Sequence, residues 1–526
     1  MWDWRAAFVG RMIPCAMTPA SKSLRPIQRQ RAAKRDGTGT ILANAIASTI
    51  AERVVMSKLQ PGTKVGSEAE FMKHLKVSRA PLREAIRILE WQGLVAPERG
   101  GAGGLNVAGN AISATANMLR THLQLSDISL HDLLEAGSLI SSYMLARVAQ
   151  TITAEQVGML RGSFDLAWQR LRQGEHTSQT KANVMRDIAS LLDNPAGKAF
   201  AHTVVNLGAD FDRMPVPRGR TPTENSARMM KNIEQLIDAL SEHDEAAALA
   251  TIREMGAVTT AALTEQERRD PKVWATQSFL LGDHRRAIEH VPASEKSAVQ
   301  LAFAMAAKIR RKSVAPGTRL GTQASLLPEQ KVGMKVFREA ARLLDFFGIV
   351  QMRVGKQGGM FAIHPQEDTV VEWACRYLQW VRISAADVAE LQAHLCFGSV
   401  ALAAARITSE DVLQLKILTE RIPTEPPERQ SEVVQALQDR LVSMSRNRVL
   451  TLFETVLLEM QRMLSGTSVR EDLADATERN DVLRELTRAF LESDQKGLQQ
   501  QLILLRASLG KASSSTLRAS QNRRSA

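Results

Sequence analysis

The sequence predicts a mostly α-helical protein in which two winged helix-turn-helix domains are each followed by an all-helical bundle. Three observations predict it. Aromatic residues are scarce at 4%, hydrophobic residues reach 44%, and Ala, Leu, Glu and Arg dominate the interior segments, a composition that favours helices. One stretch, Val77 to Val95, has the pattern of a recognition helix and the turn that ends it. Much of that pattern then returns at a constant offset of 255, first seen where Pro61-Gly62-Thr63 meets Pro316-Gly317-Thr318. At 526 residues the chain is too long for one hydrophobic core and has room for several domains.

Residues 1–40 set Arg25, Arg29, Arg31, Lys34 and Arg35 among Ser, Pro, Thr and Gly and read as a disordered basic arm. Met1-Trp2-Asp3-Trp4 lacks the apolar core of a secretory signal, and Met12 or Met17 would serve equally as the start. A helix from about Ile41 to Lys58 follows, with Ile46, Ile50 and Val54 on one face. Ser67-Glu68-Ala69-Glu70 has the spacing of a capping box and opens a short helix carrying Phe71, Met72 and Leu75. Ser78 is the expected N-cap of the next helix, where Pro81 is tolerated because first-turn N–H groups have no intrahelical partner. In that helix Leu82, Ala85, Ile86 and Leu89 form an apolar face, and Arg79, Arg83 and Arg87 recur every four residues on another side. Leu94-Val95 and Leu105-Asn106-Val107 flank the run Arg99-Gly100-Gly101-Ala102-Gly103-Gly104, which predicts a two-stranded wing with a glycine-rich tip. Residues 41–110 are therefore expected to be a winged helix-turn-helix that sets its second helix in a DNA major groove.

The words Pro61-Gly62, Ser67-Glu68, Val77-Ser78-Arg79, Leu82-Arg83-Glu84-Ala85, Leu89-Glu90 and Gly93-Leu94-Val95, in this order, resemble the winged helix of the GntR family of bacterial transcription regulators. Residues 111–266 carry periodic leucines at Leu119, Leu123, Leu133 and Leu134, a helix from Met229 to Leu240, and breaks at Asn194-Pro195 and Met214-Pro215-Val216-Pro217. With Asp132-Leu133-Leu134-Glu135, Asp193-Asn194-Pro195 and Ile237-Asp238-Ala239-Leu240, this segment resembles the helical, effector-binding and dimerising FCD domain of the FadR-type branch.

The offset of 255 persists through Arg83-Glu84-Ala85 and Arg338-Glu339-Ala340, Leu89 and Leu344, Gly93 and Gly348, to Ile152-Thr153 and Ile407-Thr408. Roughly a hundred residues in register without a gap point to a duplicated unit. Residues 267–295, with Asp270-Pro271 and Val291-Pro292, read as a linker. Residues 296–365 read as a second, degenerate winged helix, 366–510 as a second FCD-like helical domain and 511–526 as a basic tail. FadR-type regulators pair two such chains, so the resemblance implies an intramolecular pseudo-dimer, with homodimerisation of the fused chain as a further option.

The two copies differ at the reading surface. Ser78-Arg79 becomes Gly333-Met334, the Ser67 and Glu70 box becomes Thr322 and Ser325, and Pro328 falls inside the first helix of the motif. Proline there deletes a hydrogen bond and clashes with the preceding turn at about 3 kcal/mol, so a distorted second reader is expected. The copy nevertheless keeps Lys335, Arg338, Arg342, Arg353 and Lys356. Charge without a base reader points to phosphate contact, and solvated charges on a purely dimerising partner are the equal alternative.

The formal charge of +12, with a pI near 9.8, is unevenly placed. The segments 1–40, 41–110, 296–364 and 506–526 carry +6, +3, +9 and +5, and the remaining residues carry −11. Basic modules alternating with acidic ones suit nucleic acid for the former. No apolar run approaches a membrane span, and Cys15, Cys375 and Cys396 are too scattered for a disulfide framework or a thiolate metal site.

By the resemblance, Arg79 and Arg83 reach base edges, Arg83 being suited to a bidentate contact with guanine O6 and N7. Ser78 and the helix N-terminus meet phosphate, Arg99 and Gly101 in the wing approach backbone or minor groove, and Ala80 and Arg87 complete the first DNA-facing set. Lys335, Arg338, Arg353 and Lys356 form the second. Ala69 stands where the family commonly has an arginine. The competing reading pairs these arginines with Glu84 and Glu90 on a solvated helix face. The family's metal ligands, an Asp and three His, fall on Lys181, Met185, Ile233 and Met255, none of them a ligand for Zn, Ni or Mn, so no metal and no other cofactor is expected. Gly137-Ser138 replaces the family's arginine pair, which weakens the case for a carboxylate effector; any small-molecule effector is unidentified. Met185, Met229, Met230 and Met255 are gap-filling core or the lining of an apolar pocket. No nucleophile, base and orienter set stands out, and the glycine runs lack phosphate-loop spacing, so an enzyme is not expected. The expected function is a cytoplasmic, nucleoid-associated bacterial regulator, a repressor, bound to an operator in double-stranded DNA with no membrane partner. The alternative is an interaction or scaffold protein derived from such a regulator that no longer reads DNA.

Overall fold

The structure, a computed structural model, describes residues 38–98, 104–126, 128–172, 177–212, 223–269, 296–353, 355, 357–404, 406–424 and 441–465, with scattered positions between 433 and 492. The chain opens with α1 (Thr38–Met56), β1 (Lys64–Ser67), α2 (Glu68–Leu75), α3 (Arg79–Trp91), β2 (Val95–Pro97) and β3 (Gly104–Val107). Helix α1 packs on α3, with Ile46, Ile50 and Val54 buried on one side and Leu82, Ala85, Ile86 and Leu89 on the other. Each large aliphatic side chain removed from water in this way contributes about 1.5–3 kcal/mol, which fixes α3 against α1 by its apolar face. Phe71 and Leu75 of α2 close the same core. Gly93, at φ 71°, takes the left-handed conformation that turns the chain out of α3 into β2.

The wing holds one strand more than expected. The sheet order is β1-β3-β2, antiparallel throughout, with Val95 opposite Val107 and Gly66 opposite Leu105. Strand β1 escapes a pattern search because it is four residues long, buries only Val65 and is bulged between Lys64 and Gly66.

Helices α4 (Ala111–Leu125), α5 (Leu130–Thr151), α6 (Ala154–Arg172), α7 (Thr177–Ser190), α8 (Pro195–Asp212), α9 (Thr223–Ser241) and α10 (Glu245–Arg269) follow. The break expected at Asn194-Pro195 is the start of α8, where Asn194 Oδ1 accepts from the Gly197 N–H. Helix α10 runs to Arg269, into the stretch read as linker; the Met214-Pro215-Val216-Pro217 break, residues 270–295 and both chain ends lie outside the described residues.

The element order then returns: α11 (Lys296–Arg311), β4 (Arg319–Gly321), α12 (Gln323–Gln330), α13 (Met334–Phe346), β5 (Val350–Arg353) and β6 (Gly359–Ala362), with sheet order β4-β6-β5. Helices α14 (Asp368–Trp380), α15 (Ala385–Ala404), α16 (Ser409–Arg421), a 3-10 turn at Ile422–Thr424 and α17 (Arg448–Ser465) complete the described elements. Among described residues no helix is long and apolar enough to cross a membrane.

Two expectations about α12 are corrected. The Thr322 and Ser325 pair retains the capping box: Ser325 N–H donates to Thr322 Oγ1 at 3.3 Å and Thr322 N–H to Ser325 Oγ at 2.9 Å. A serine at the third helical position thus does the work of Glu70. Pro328 does not distort the helix, since α12 has the length of α2 and ends at Lys331 in the left-handed conformation that Lys76 adopts after α2. In a helix of two turns, proline removes a single hydrogen bond while the cap and the following turn still hold both ends.

Among the described residues one large hydrophobic core runs from Ala43 to Met460, and a smaller separate one gathers Val400, Ala403, Leu415 and Ile422 of α15, α16 and the 3-10 turn. The middle of the large core joins residues that are far apart in sequence. Helix α4 lies against α14 and α5 against α15, and the Phe200 ring of α8 stacks on Phe453 of α17 at 4.1 Å. The polar contacts come in pairs. Asn194 Nδ2 donates to the Asp387 carbonyl at 2.8 Å and Asn447 Nδ2 to the Asp132 carbonyl at 2.9 Å. His122 Nδ1 donates to the Phe347 carbonyl at 3.0 Å, and Tyr377 donates its hydroxyl to Gln92 Oε1 at 2.5 Å.

Candidate nucleic-acid interface

Helix α2 is fixed at its start by Ser67 and Glu70: the Ser67 N–H donates to Glu70 Oε2 at 2.8 Å and the Glu70 N–H to Ser67 Oγ at 3.3 Å. The Ser67 backbone hydrogen bond holds the Glu70 carboxyl below its usual range. Lys76 ends the helix, its N–H donating to the Met72 carbonyl, and Val77 leads into α3. This turn leaves Ser78, Arg79, Ala80 and Arg83 exposed at the head of α3, while the opposite face is buried. Ser78 occupies the N-cap position with extended backbone, but its hydroxyl caps nothing, contrary to expectation. Loss of a serine at Gly333 therefore removes no cap bond, for Gly333 heads α13 in the same backbone conformation.

Arg83 Nε donates to both oxygens of Glu68, at 3.2 and 3.1 Å, and Arg79 Nε lies 3.7 Å from the same carboxylate. Glu68 holds both guanidiniums by their Nε edge, a partner that the Glu84 and Glu90 alternative missed. The pair spans the turn between two helices, so no helical spacing announces it. In the second unit Arg338 Nε donates to Gln323 Oε1 at 3.0 Å, the same contact with a neutral acceptor.

Arg87 is placed apart from the other predicted residues. Its Nη2 lies 2.9 Å from Glu339 Oε1 on α13, and Arg342 answers with a 3.7 Å approach to Glu84 on α3. Near the ends of the same two helices the Trp91 and Phe346 rings lie 6.3 Å apart. Residues 84 and 339, and 87 and 342, are each separated by the offset of 255, the one sequence signal that pairs them. Lys335 is exposed beside Met334, and Arg353 stacks over Phe361 at 4.2 Å with its Nε donating to Gln351. Arg99, Gly101 and Lys356 lie outside the described residues.

Among the described residues the helices between carry no comparable constellation. Met185, Ile233 and Met255, at the positions of the family's metal ligands, are buried in the core, as is Met230. Among the described residues no group of three or more His, Cys, Asp or Glu side chains is arranged to hold a metal. Cys375 and Cys396 are free and buried.

A helix-turn-helix with a basic, exposed leading end and a three-stranded wing is a DNA-binding architecture. Residues 42–103 match the model of bacterial regulatory proteins of the gntR family, and this segment is a helix-turn-helix domain of that family. No curated protein matches the chain. Solved structures similar to it include a GntR protein of Streptococcus agalactiae, 16% identical over 41% of this chain and 99% of that one, with a TM-score of 0.30. A GntR-family transcriptional regulator of Pseudomonas syringae pv. tomato is 18% identical over 44% and 90%, TM-score 0.20. McbR/YncC of E. coli is 15% identical over 43% and 98%, TM-score 0.19.

Proposed function

We propose that the protein is a sequence-specific DNA-binding transcription regulator, acting as a repressor. Its two halves, each a winged helix followed by an FCD-like bundle, form a fused pseudo-dimer. The observation that carries the DNA reading is the exposed head of α3, where Ser78, Arg79 and Arg83 stand free of the core within the segment that matches the gntR family. The two terminal nitrogens of Arg83, not engaged by Glu68, are the natural fork for a guanine's O6 and N7. The pseudo-dimer is supported by contacts that recur with the halves exchanged, among them Arg87–Glu339 against Arg342–Glu84 and Asn194–Asp387 against Asn447–Asp132. The FCD-like bundles would dimerise the halves and receive an effector, and the chain is not an enzyme in this reading.

The test is binding of the full chain to DNA upstream of its own gene, against scrambled DNA, over a salt series. Arg83→Ala is expected to weaken specific binding by about 1–3 kcal/mol and to relax selectivity at one base pair. A specific isotherm that Arg83→Ala leaves unchanged would remove Arg83 from the reading surface. Equal binding to both DNAs, with no sequence preferred in a wider selection, would favour an interaction protein that has lost DNA reading.

A further inference from the structure

We infer, on the reading that the protein is a DNA-binding regulator, that its DNA site is asymmetric, with two unlike base sequences side by side. One is read by Ser78, Arg79 and Arg83 at the head of α3, the other by Met334, Lys335 and Arg338 at the head of α13.

The second helix-turn-helix is as regular as the first. Helix α12 keeps its capping box and its left-handed terminus, and α13 has the thirteen residues of α3, with Phe337, Ala340, Ala341 and Leu344 buried where α3 buries its own apolar face. A frame preserved to this degree presents its leading residues in the same manner as α3. Those residues are exposed and their chemistry differs at each place: Gly333 for Ser78, Met334 for Arg79, Lys335 for Ala80. Met334 is 42% exposed, so core packing does not account for it. In a major groove an apolar side chain meets the thymine methyl group, whereas an arginine in that position seeks guanine O6 and N7.

Arg338 is retained and oriented. Gln323 holds it as Glu68 holds Arg83. The neutral amide leaves the Arg338 charge uncompensated by its neighbour, whereas Glu68 compensates both Arg79 and Arg83. The second head is therefore more attractive to an anion than the first.

The two readers are also tethered. Arg87–Glu339, Arg342–Glu84 and the Trp91 and Phe346 rings join α3 and α13 along their middle and C-terminal turns, which leaves both N-terminal heads outside the contact. So joined, both heads belong to one body that addresses one continuous stretch of DNA. A pair of identical readers requires a two-fold sequence; one chain with unlike readers does not.

The experiment is selection of binding sequences from randomised duplex by the full chain, alongside Arg83→Ala, Arg338→Ala and Met334→Arg. All three substitutions are at exposed positions, and unchanged thermal melting checks their folding. The wild type should enrich a single non-palindromic motif of two unlike blocks. Arg83→Ala should erase information in one block and Arg338→Ala in the other, each lowering affinity for the full motif by roughly 5- to 150-fold. Met334→Arg should make the second block resemble the first. A palindromic motif would overturn the proposal, as would a single block whose affinity falls alike for all sequences in Arg338→Ala, the mark of phosphate contact alone. Enrichment of no sequence would overturn the DNA-reading proposal itself.

Discussion

Set side by side, α3 and α13 bury the same face, with two of its four residues exchanged. Leu82, Ala85, Ile86 and Leu89 in the first stand at the places of Phe337, Ala340, Ala341 and Leu344 in the second, and all eight are buried. Leu82 to Phe337 adds volume and Ile86 to Ala341 removes more, so the packing differs in detail while the apolar pattern is kept. The exposed heads changed without that restraint: Arg79 and Met334, Ala80 and Lys335, Glu68 and Gln323 differ in charge or polarity. Under the proposed duplication, scaffold and exposed head follow separate physical rules, and the regular α12–α13 frame argues against a degenerate second copy.

The comparison is broken most directly at the centre of the proposed pseudo-dimer. Phe200 and Phe453 are fully buried and stacked nearly parallel, one from each half. Phe200→Ala and Phe453→Ala should each destabilise the fold by about 3–5 kcal/mol in urea unfolding. Since the rings touch, the double substitution should cost less than the sum of the two. Two independent unfolding transitions in the wild type, with each substitution moving only one of them, would show halves that fold apart and do not share a core.

A second contrast is chemical. His122 and Tyr377 are separated by the offset of 255, and each reaches the residue that follows α13 or α3, Phe347 or Gln92. Burial pushes the His122 imidazole from 6.5 down to about 4, and burial pushes the Tyr377 phenol up, so Tyr377 stays neutral at any mild pH. The folded state therefore favours neutral His122, with Nδ1 donating to the Phe347 carbonyl and Nε2 facing Ser126 Oγ. Its contribution is present above pH 6.5 and is lost as pH falls from 6.5 toward 4, by roughly 3 kcal/mol in all. His202, held near 4 chiefly by burial, adds to the same slope. His122→Gln should flatten the fall in stability between pH 6.5 and 4.5, while Tyr377→Phe should lower stability without altering the slope. Identical slopes in wild type and His122→Gln would remove His122 from this account.

Much of the first unit was legible in the residues. Ile46, Ile50, Val54, Leu82 and Leu89 are buried as their spacing predicts, because an amphipathic helix has one way to hide a periodic stripe. The missed strand β1 has no stripe to read, with one buried side chain in four residues. Pro328 misled because helix propensity weighs one position, whereas a two-turn helix held by a cap and a turn is set by its ends. The partners of the arginines were least legible: Glu68 and Glu339 come near Arg83 and Arg87 only through tertiary packing. His122 and Tyr377 gave no sequence signal beyond their separation by the offset of 255.

The finest distinction is between the two ion pairs that join α3 and α13. In Arg87–Glu339 the side chains are 22% and 7% exposed at 2.9 Å; in Arg342–Glu84 they are 46% and 17% exposed at 3.7 Å. Removing Arg87 leaves a nearly buried carboxylate without its partner, which in fully buried pairs costs about 3–5 kcal/mol; the residual exposure of Arg87 brings the expectation for Arg87→Ala to roughly 2 kcal/mol. Arg342→Ala should cost less than about 1 kcal/mol, because water already screens the pair. The same variants separate joining from reading. Arg87 was expected among the DNA-facing residues, but its ion pair to Glu339 engages it with α13. Arg87→Ala should then weaken binding to every site that needs both heads and leave the preferred bases unchanged. A change of preference at a single base pair, without loss of stability, would return Arg87 to the reading surface.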